Sequence, residues 1–336
     1  MQIAQRVATL LGIPLSSEPV CDEIIAFEAG GELSVKSIRE IGSVNKGRSV
    51  RIIETEEPKL VYHRDYAKVA DKPVLKIGKW GTEDGQFRNP NSVTCNSRGD
   101  IIVADSGNHR IQVFDETGKF LLKFGSQGSE NGQFNDPSGI TFDHRNNQIV
   151  VADQGNHRIQ IFDEKGTFIR TFGSKGNIDG RLLEPNGVVI DQEGNYVVSS
   201  YCCIQVFDSA GKFLRKFGSD GKKKGQFHYP LGVGVLANGN VVVGDYLRAK
   251  CQIFDSVGNF VSVFGAGILF SPNHLFVDSD DNILVASGKL IEVFNSDGTH
   301  LKSIGEGVFS SASDVCMVRN DRIVVSDFQK HTIFVF

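Results

Sequence analysis

The feature that most constrains the fold of this chain is a segment that occurs twice almost unchanged. Residues 101–115 read IIVADSGNHRIQVFD, and residues 149–163 read IVVADQGNHRIQIFD. More divergent copies begin at Tyr196, Val241, Ile283 and Ile323. The last aromatic residue of each copy recurs every 40 to 48 residues or so, at Phe114, Phe162, Phe207, Phe254, Phe294 and either Phe334 or Phe336. A period of this length indicates an array of repeated structural units.

Each period divides into four short apolar runs separated by polar turns. In the second copy, the runs follow Pro137, occupy 149–152 and 159–162, and end with 168–172 before Gly173. Runs rich in β-branched residues and bounded by Gly, Asn and Asp predict strands. Four short antiparallel strands cannot bury their faces alone and must stack on neighbouring units. The sequence therefore predicts an all-β fold, a six-bladed β-propeller, over residues 73–336.

The ends of the array predict how the ring closes. A hydrophobic-x-hydrophobic-Gly motif ends each of the first five copies, but no such motif follows the third run of the sixth copy. The same motif precedes the first copy, at residues 75–78. Residues 74–77 are therefore expected to pair as the outer strand of the last blade, which would remove an open sheet edge.

The repeats resemble the NHL repeat, through G-x-F-x-x-P-x-G-(V/I) followed by (V/A)-D-x-G-N-H-R-I-Q-(V/I)-F. The resemblance covers residues 74–336, and the full set most resembles the C-terminal propeller of tripartite-motif proteins of the TRIM-NHL type. It implies a cargo-selecting domain of a ubiquitin ligase, an RNA-binding platform, or both. The cysteine spacing does not fit the zinc ligands of a RING or B-box, so the part that recruits the conjugating enzyme is not expected within this chain.

Residues 1–72 are expected to form a small mixed extension and linker. Ile3, Val7, Leu10 and Leu11 share one helical face, which fits the end of a coiled coil as well as a plain linker. This interpretation then places a strand at 23–27, a short helix at 33–41 and a further strand at 49–53. A charged connector leads to the propeller.

Composition sets limits on compartment and partners. The formal charge is only −4, no run of eighteen apolar residues occurs, and the first thirty residues lack a signal-peptide core. We therefore expect a cytoplasmic protein with no membrane or DNA partner. The six cysteines contain no C-x-x-C pair and are predicted to be reduced core residues, with no metal and no cofactor.

Positions at which the copies diverge are free to specialise, whereas recurring positions usually serve the architecture. Asp105, Asp153, Arg110 and Arg158 recur, and bracing of the blades competes with a binding role for them. The divergent loops before the prolines combine basic and aromatic residues where blades 3 and 4 begin. The predicted binding residues of this top face are His157, Arg158, Lys175, Arg181, Tyr201, Lys222, Lys223, Lys224, His228, Tyr229, Arg248 and Lys250, with Arg88, His109 and Arg110 as further candidates.

Two functions from different classes fit this face. One is docking of a protein partner, as the substrate-recognition part of a TRIM-type ligase. The other is capture of single-stranded RNA, because basic side chains hold the backbone while aromatic rings stack on bases. A metal-dependent propeller lyase or lactonase is disfavoured, because the positions after the prolines are Asn91, Ser138, Asn186, Leu231, Asn273 and, without a proline, Ser313. No catalysis is expected in this chain.

Overall fold

The computed structural model of the chain describes residues 26–29, 32–35, 66–318 and 322–336. The described residues from Tyr66 to Phe336 form one compact unit. Its strands form six four-stranded antiparallel sheets, each corresponding to one sequence repeat. The predicted six-bladed β-propeller is confirmed.

Two strands precede the propeller. Strands β1 (Ala26–Ala29) and β2 (Glu32–Val35) pair antiparallel. The helix predicted at 33–41 is wrong over Leu33–Val35, which lie in β2. Gly30 and Gly31 separate the two segments, and a Gly-Gly pair favours a two-residue hairpin turn over a helix. The predicted helix at 1–12 and strand at 49–53 lie outside the described residues, and the boundary placed at residue 72 stays a prediction.

Strand β3 (Leu75–Ile77) precedes the first complete blade, and the blades then follow in chain order. Blade 1 contains β4 (Pro90–Cys95), β5 (Ile101–Asp105), β6 (Arg110–Phe114) and β7 (Phe120–Phe124). Blade 2 contains β8 (Pro137–Asp143), β9 (Gln148–Asp153), β10 (Arg158–Asp163) and β11 (Phe168–Phe172). Blade 3 contains β12 (Pro185–Ile190), β13 (Tyr196–Ser200), β14 (Cys203–Phe207) and β15 (Phe213–Phe217).

Blade 4 contains β16 (Pro230–Val235), β17 (Val241–Asp245), β18 (Lys250–Phe254) and β19 (Phe260–Phe264). Blade 5 contains β20 (Pro272–Val277), β21 (Ile283–Ser287), β22 (Leu290–Phe294) and β23 (His300–Ile304). Blade 6 contains β24 (Ala312–Met317), β25 (Ile323–Asp327), β26 (Thr332–Val335) and, as its outer strand, β3. Short 3-10 helices occupy Tyr66–Lys68, Ser106–Asn108, Gln154–Asn156 and Tyr246–Arg248.

The core lies between neighbouring blades. The second strand of every blade is buried on both faces, whereas outer strands such as β7 alternate between half-buried and exposed residues. Phe114 is fully buried, and its ring lies 5.5 Å from that of Phe87, which ends the loop leading into the same blade. Burial of one such phenylalanine contributes about 1.5–3 kcal/mol. The phenylalanine of each repeat therefore fixes the incoming loop on its blade.

The glycine that ends each outer strand leaves room for that loop. Gly125 has φ +90°, and a Cβ placed there would lie 2.4 Å from the ring of Phe134. Gly78 stands in the same relation to Phe87, at 2.3 Å. The glycine of the motif is required by both its backbone angle and the close approach of the ring.

The ring closes as the sequence predicts. Strand β3 pairs with β26 in the register Ile77 to Ile333 and Leu75 to Val335, and the Val74 amide donates to the Val335 carbonyl at 2.7 Å. Phe336 exchanges backbone hydrogen bonds with Ile323, as Phe114 pairs with Ile101 in blade 1. Phe336 is therefore the sixth repeat phenylalanine. Pairing of β3 with β26 gives blade 6 its fourth strand.

Candidate binding face

The loops between blades begin and end at one end of the propeller, where the turns between second and third strands also lie. This follows from antiparallel pairing, because first and third strands run away from that end and second and fourth strands run towards it. We call this end the top face. Its loops span 78–89, 125–136, 173–184, 218–229, 265–271 and 305–311, and its turns span 106–109, 154–157, 201–202, 246–249, 288–289 and 328–331.

Arg110 and Arg158 brace the top face from inside. Arg110 is buried, and its Nε donates to Asp105 Oδ2 at 2.8 Å while the remaining nitrogens donate to the carbonyls of Thr82, Glu83 and Gln86. Arg158 repeats the pattern with Asp153 at 2.8 Å. Burial raises the pKa of Asp105, and hydrogen bonds, first from Asn108, oppose the rise. Both guanidinium groups are thus engaged within the blade.

His109 and His157 link consecutive blades. Each adopts the left-handed conformation, with φ of 51° and 58°. Their Nδ1 atoms accept the backbone N–H of Asp136 and Glu184, both at 3.1 Å. Burial, followed by the charge of Lys175, lowers the pKa of His157, which favours the neutral ring that this contact needs.

Sequence reasoning missed a third histidine of this kind. His331 also has positive φ, at 53°, and its Nδ1 accepts the Asn89 N–H at 3.0 Å across the junction of blades 6 and 1. The signal was present, because His331 follows Asp327 by four residues just as His109 follows Asp105.

The basic residues of blades 3 and 4 are presented differently. The side chains of Lys175, Arg181 and the lysine triplet (Lys222, Lys223 and Lys224) are exposed on two consecutive loops. Lys224 Nζ lies 5.6 Å from the centre of the Phe260 ring, a cation–π distance.

Other charges on this side moderate the basic character. Lys216 pairs with Asp179 at 2.6 Å, and exposed His228 lies 3.2 Å from Asp220. Arg88 is also exposed, but it lies on blade 1, away from the lysine triplet. The net basic surface of blades 3 and 4 is therefore concentrated on the lysine triplet, Lys175 and Arg181.

Blade 4 departs from the Asp–Arg brace of blades 1 and 2. Lys250 takes the position of Arg110, and buried Asp245 accepts the backbone N–H groups of His228 and Tyr229 at 3.0 and 3.1 Å. Arg248 is half-buried, and its Nε is buried without a hydrogen-bond partner. Lys250 is also half-buried, so the predicted residues of the blade 4 turn are less accessible than the lysine triplet.

Aromatic and apolar side chains accompany the lysines. Tyr201 is 47% exposed, and half-buried Tyr229 lies against Tyr246 with ring centres 6.4 Å apart. Two residues that sequence reasoning missed are more exposed: Leu247 at 56% and Phe270 at 74%. We call Tyr201, Leu247 and Phe270, on three consecutive blades, the apolar patch. Phe270 occupies the position of Arg88, two residues before the proline, where the copies diverge.

The central channel is ringed by the residues that follow the prolines. Asn273 donates to Ser313 at 3.5 Å, Ser313 to Asn91 at 2.8 Å, Asn91 to Ser138 at 3.0 Å and Ser138 to Asn186 at 3.3 Å. Leu231 interrupts this belt in blade 4. Below it, the inner strands line a cavity of about 250 Å³. Among the described residues, no group of three or more His, Cys, Asp or Glu side chains is arranged to hold a metal ion.

A model of the NHL repeat matches residues 87–114 and 134–162, which contain the braces and linking histidines of blades 1 and 2. The chain carries an NHL-repeat propeller. Related proteins include the B-box type zinc finger protein ncl-1 of Caenorhabditis elegans, 33% identical over 110 residues, and the protein brain tumor of Drosophila melanogaster, 40% identical over 67 residues. Mouse tripartite motif-containing protein 3 is 44% identical over 52 residues.

These matches cover part of each protein. They span 31%, 20% and 16% of this chain, and 12%, 5% and 7% of ncl-1, brain tumor and tripartite motif-containing protein 3. The NHL propeller of this chain thus resembles that of the tripartite-motif proteins, while the rest of those proteins lies outside the comparison.

Solved structures with the same architecture include enzymes. A gluconolactonase from Xanthomonas campestris aligns with a TM-score of 0.60 and 14% identity, over 75% of this chain and 86% of its own. A virginiamycin B lyase from Staphylococcus aureus aligns at 0.57 and 12%, over 77% and 83%. At such low identity the likeness shows the fold of the NHL propeller alone. Within the described residues, no helix has the length and apolar character needed to span a membrane.

Proposed function

We propose that the NHL propeller is a non-catalytic platform that docks a protein partner on the top face of blades 3 to 5. The observation that carries the proposal is the apolar patch, whose large side chains are exposed in top-face turns and loops of consecutive blades. Exposed apolar side chains with a polar rim are typical of protein-binding surfaces, and aromatic residues often supply most of the binding energy.

The charge of the rim indicates the kind of partner. The lysine triplet and Arg181 are exposed on the loops that enter blades 4 and 3, the blades that carry Leu247 and Tyr201, so a partner segment that combines apolar anchors with acidic residues fits this surface. The likeness to tripartite-motif proteins supports a more specific role, in which the docked protein is a substrate of a ubiquitin ligase. In that role the propeller selects the substrate and does not carry out the transfer.

Single-stranded RNA is the second candidate. It is favoured by the exposed lysine triplet and by the exposed ring of Tyr201. Lysines that hold phosphates and aromatic rings that stack on bases are the two components of single-strand binding. The two candidates use overlapping residues but differ in their response to salt.

Two variants test the protein-docking proposal. A partner captured by the wild-type propeller is purified, and its affinity for each variant is measured by calorimetry. Replacing Leu247 and Phe270 together with Ser should remove this binding. Val257→Ser is the matched control, because Val257 is equally apolar and exposed but lies in a turn at the opposite end of blade 4. Equal affinity of all three proteins would refute docking at the apolar patch.

Mobility shifts with a random RNA pool test the second candidate. Binding by a few lysine contacts should weaken roughly tenfold or more between about 50 and 200 mM salt. Replacing the lysine triplet with Glu should abolish it. Replacing Lys119, Lys165 and Lys212 with Glu should not, because these exposed lysines lie in turns at the opposite end of the blades. Absence of any shift at low salt would eliminate the RNA candidate.

A further inference from the structure

Two cysteines that are 221 positions apart in the sequence meet at the junction where the ring closes. Cys95 ends the inner strand of blade 1, and Cys316 lies in the inner strand of blade 6. Their sulfur atoms are 3.3 Å apart. Both are free thiols, and both are buried, with 6% and 3% of their surface exposed. We call Cys95 and Cys316 the thiol pair.

Contacts on either side of the thiol pair fix the two strands against each other. The Val93 N–H donates to Asp314 Oδ2 at 3.0 Å, and the Ser92 hydroxyl donates to the same oxygen. Nearer the top face, Ser313 donates to Asn91 at 2.8 Å. These bonds hold the two strands in one register. The folded protein therefore already places the two sulfur atoms next to each other.

A cavity lies against the thiol pair. Both residues of the thiol pair line a cavity of about 240 Å³ at the lower end of the inner strands, together with Thr94, Ser97, His144 and Met317. The other described cysteines are arranged differently: Cys251 is buried alone, and Cys202 and Cys203 are half-buried where the top-face turn of blade 3 meets β14. A disulfide has an S–S length of about 2.05 Å, so a movement of little more than an ångström would join the thiol pair.

We propose that the thiol pair is a site of reversible oxidation, at which a peroxide forms a Cys95–Cys316 disulfide that covalently joins blades 1 and 6. One thiolate of the pair attacks one peroxide oxygen, which forms an S–O bond, breaks the O–O bond and releases hydroxide. The other thiolate then attacks the sulfenic sulfur, forming the S–S bond and releasing the second hydroxide. The two thiols lose two electrons, the peroxide gains them, and the two thiol protons leave with the hydroxides as water.

The surroundings of the thiol pair favour a slow reaction. Burial raises the pKa of Cys316 well above its ordinary value, and the neighbouring Cys95 raises it further. Since the thiolate is the nucleophile in both steps, the raised pKa of Cys316 makes formation of the disulfide slow. Once formed, the buried disulfide is shielded from cellular reductants, so oxidation persists until the junction opens or a small reductant enters the cavity.

Peptide mapping of the full chain after hydrogen peroxide treatment tests the site. Free thiols are alkylated and the protein is digested with trypsin without reduction, which places Cys95 in residues 89–98 and Cys316 in residues 303–319. We expect these two peptides to be recovered as one disulfide-linked species that dithiothreitol separates. The linked species should be absent from Cys95→Ala and present in Cys251→Ala. Recovery of both peptides in alkylated form, or of Cys95 as sulfinic acid, would overturn the proposal.

Thermal unfolding tests the consequence for the ring. A cross-link that closes a loop of this length should stabilise the fold, so oxidised wild-type protein should melt several degrees higher than reduced protein. Dithiothreitol should reverse the shift, and Cys95→Ala should show none. A linked wild-type protein that melts like the reduced form would overturn covalent closure as the effect of oxidation.

Discussion

At the scale of single residues, recurrence separates bracing side chains from those that are free to bind. Arg110 and Arg158 recur in sequence, and both are held by aspartates and loop carbonyls. Phe270 and Leu247 do not recur, and they are exposed on the top face. A residue whose side chain is engaged within its own blade has fewer donors left for a partner, so the lysine triplet and the apolar patch are better binding candidates than the two arginines.

Removing one partner of the Asp105–Arg110 pair should weaken the whole propeller. Arg110→Met leaves the buried Asp105 carboxylate without its cation and the loop carbonyls without donors, which should cost about 3–5 kcal/mol. Urea unfolding followed by circular dichroism measures the change. Arg88→Met is the control. Arg88 lies on the loop whose carbonyls Arg110 binds, but its side chain is exposed, so the loss of stability should stay below about 0.5 kcal/mol. Equal midpoints for the two variants would contradict the brace.

The sequence offered this brace as one of two roles for the recurring arginines, because two near-identical copies display the aspartate and the arginine at the same spacing. It did not predict the exposure of Phe270. In a chain of short strands, the sequence near a proline does not distinguish an apolar residue that is buried from one that is exposed. Nor did it predict the thiol pair. Cys95 and Cys316 are brought together only by closure of the ring, and no local pattern records a contact between such distant residues.

At the scale of elements, the turns at the end opposite the top face repeat one design. Asp115 Oδ1 accepts the N–H groups of Thr117 and Lys119, both at 2.9 Å, and Asp255 Oδ1 accepts those of Val257 and Asn259 at 3.1 and 2.8 Å. Hydrogen bonds lower the pKa of both carboxyls. The largest effect comes from the Thr117 hydroxyl at Asp115 and from the Asn259 side chain at Asp255, and the backbone N–H groups add to it. The carboxylate form therefore helps to hold the third and fourth strands together.

Stability should consequently depend on pH in acid. A folded-state pKa below the unfolded value, which is about 3.9 for Asp, gives a contribution that is present above that pH and is lost as pH falls through the folded pKa. Urea midpoints measured from about pH 5 downward should fall more steeply for wild type than for the double variant in which Asp115 and Asp255 are replaced with Asn. Asn295 already occupies this position in blade 5 and accepts the Thr299 N–H at 2.8 Å, so the amide fits the turn. Identical pH slopes would contradict this account.

At the scale of the whole molecule, the ring depends on one junction. Every other blade takes its four strands from consecutive sequence, but blade 6 takes its outer strand from residues that precede blade 1. The sequence predicted this closure correctly, because the outer-strand motif at 75–78 precedes the first repeat and only the sixth repeat lacks an outer strand of its own. Three kinds of contact meet there: β3 on β26, His331 on Asn89, and Asp314 on Val93. Loss of the junction would expose the β26 edge and the core between blades 6 and 1.

Deleting residues 74–77 should therefore lower the melting temperature sharply and broaden the transition, because blade 6 loses its outer strand while blades 1 to 5 keep theirs. A single change isolates the apolar part: Ile77 is buried in the core between blades 1 and 6, so Ile77→Ala should cost about 2–5 kcal/mol. Lys76→Ala is the matched control, since Lys76 is exposed on the same strand and keeps its backbone pairing with Phe334. Differential scanning calorimetry distinguishes the three. If the deletion variant melts like wild type, the outer strand does not hold the ring closed, and the register on which the top face and the thiol pair both depend must be fixed by the inner strands alone.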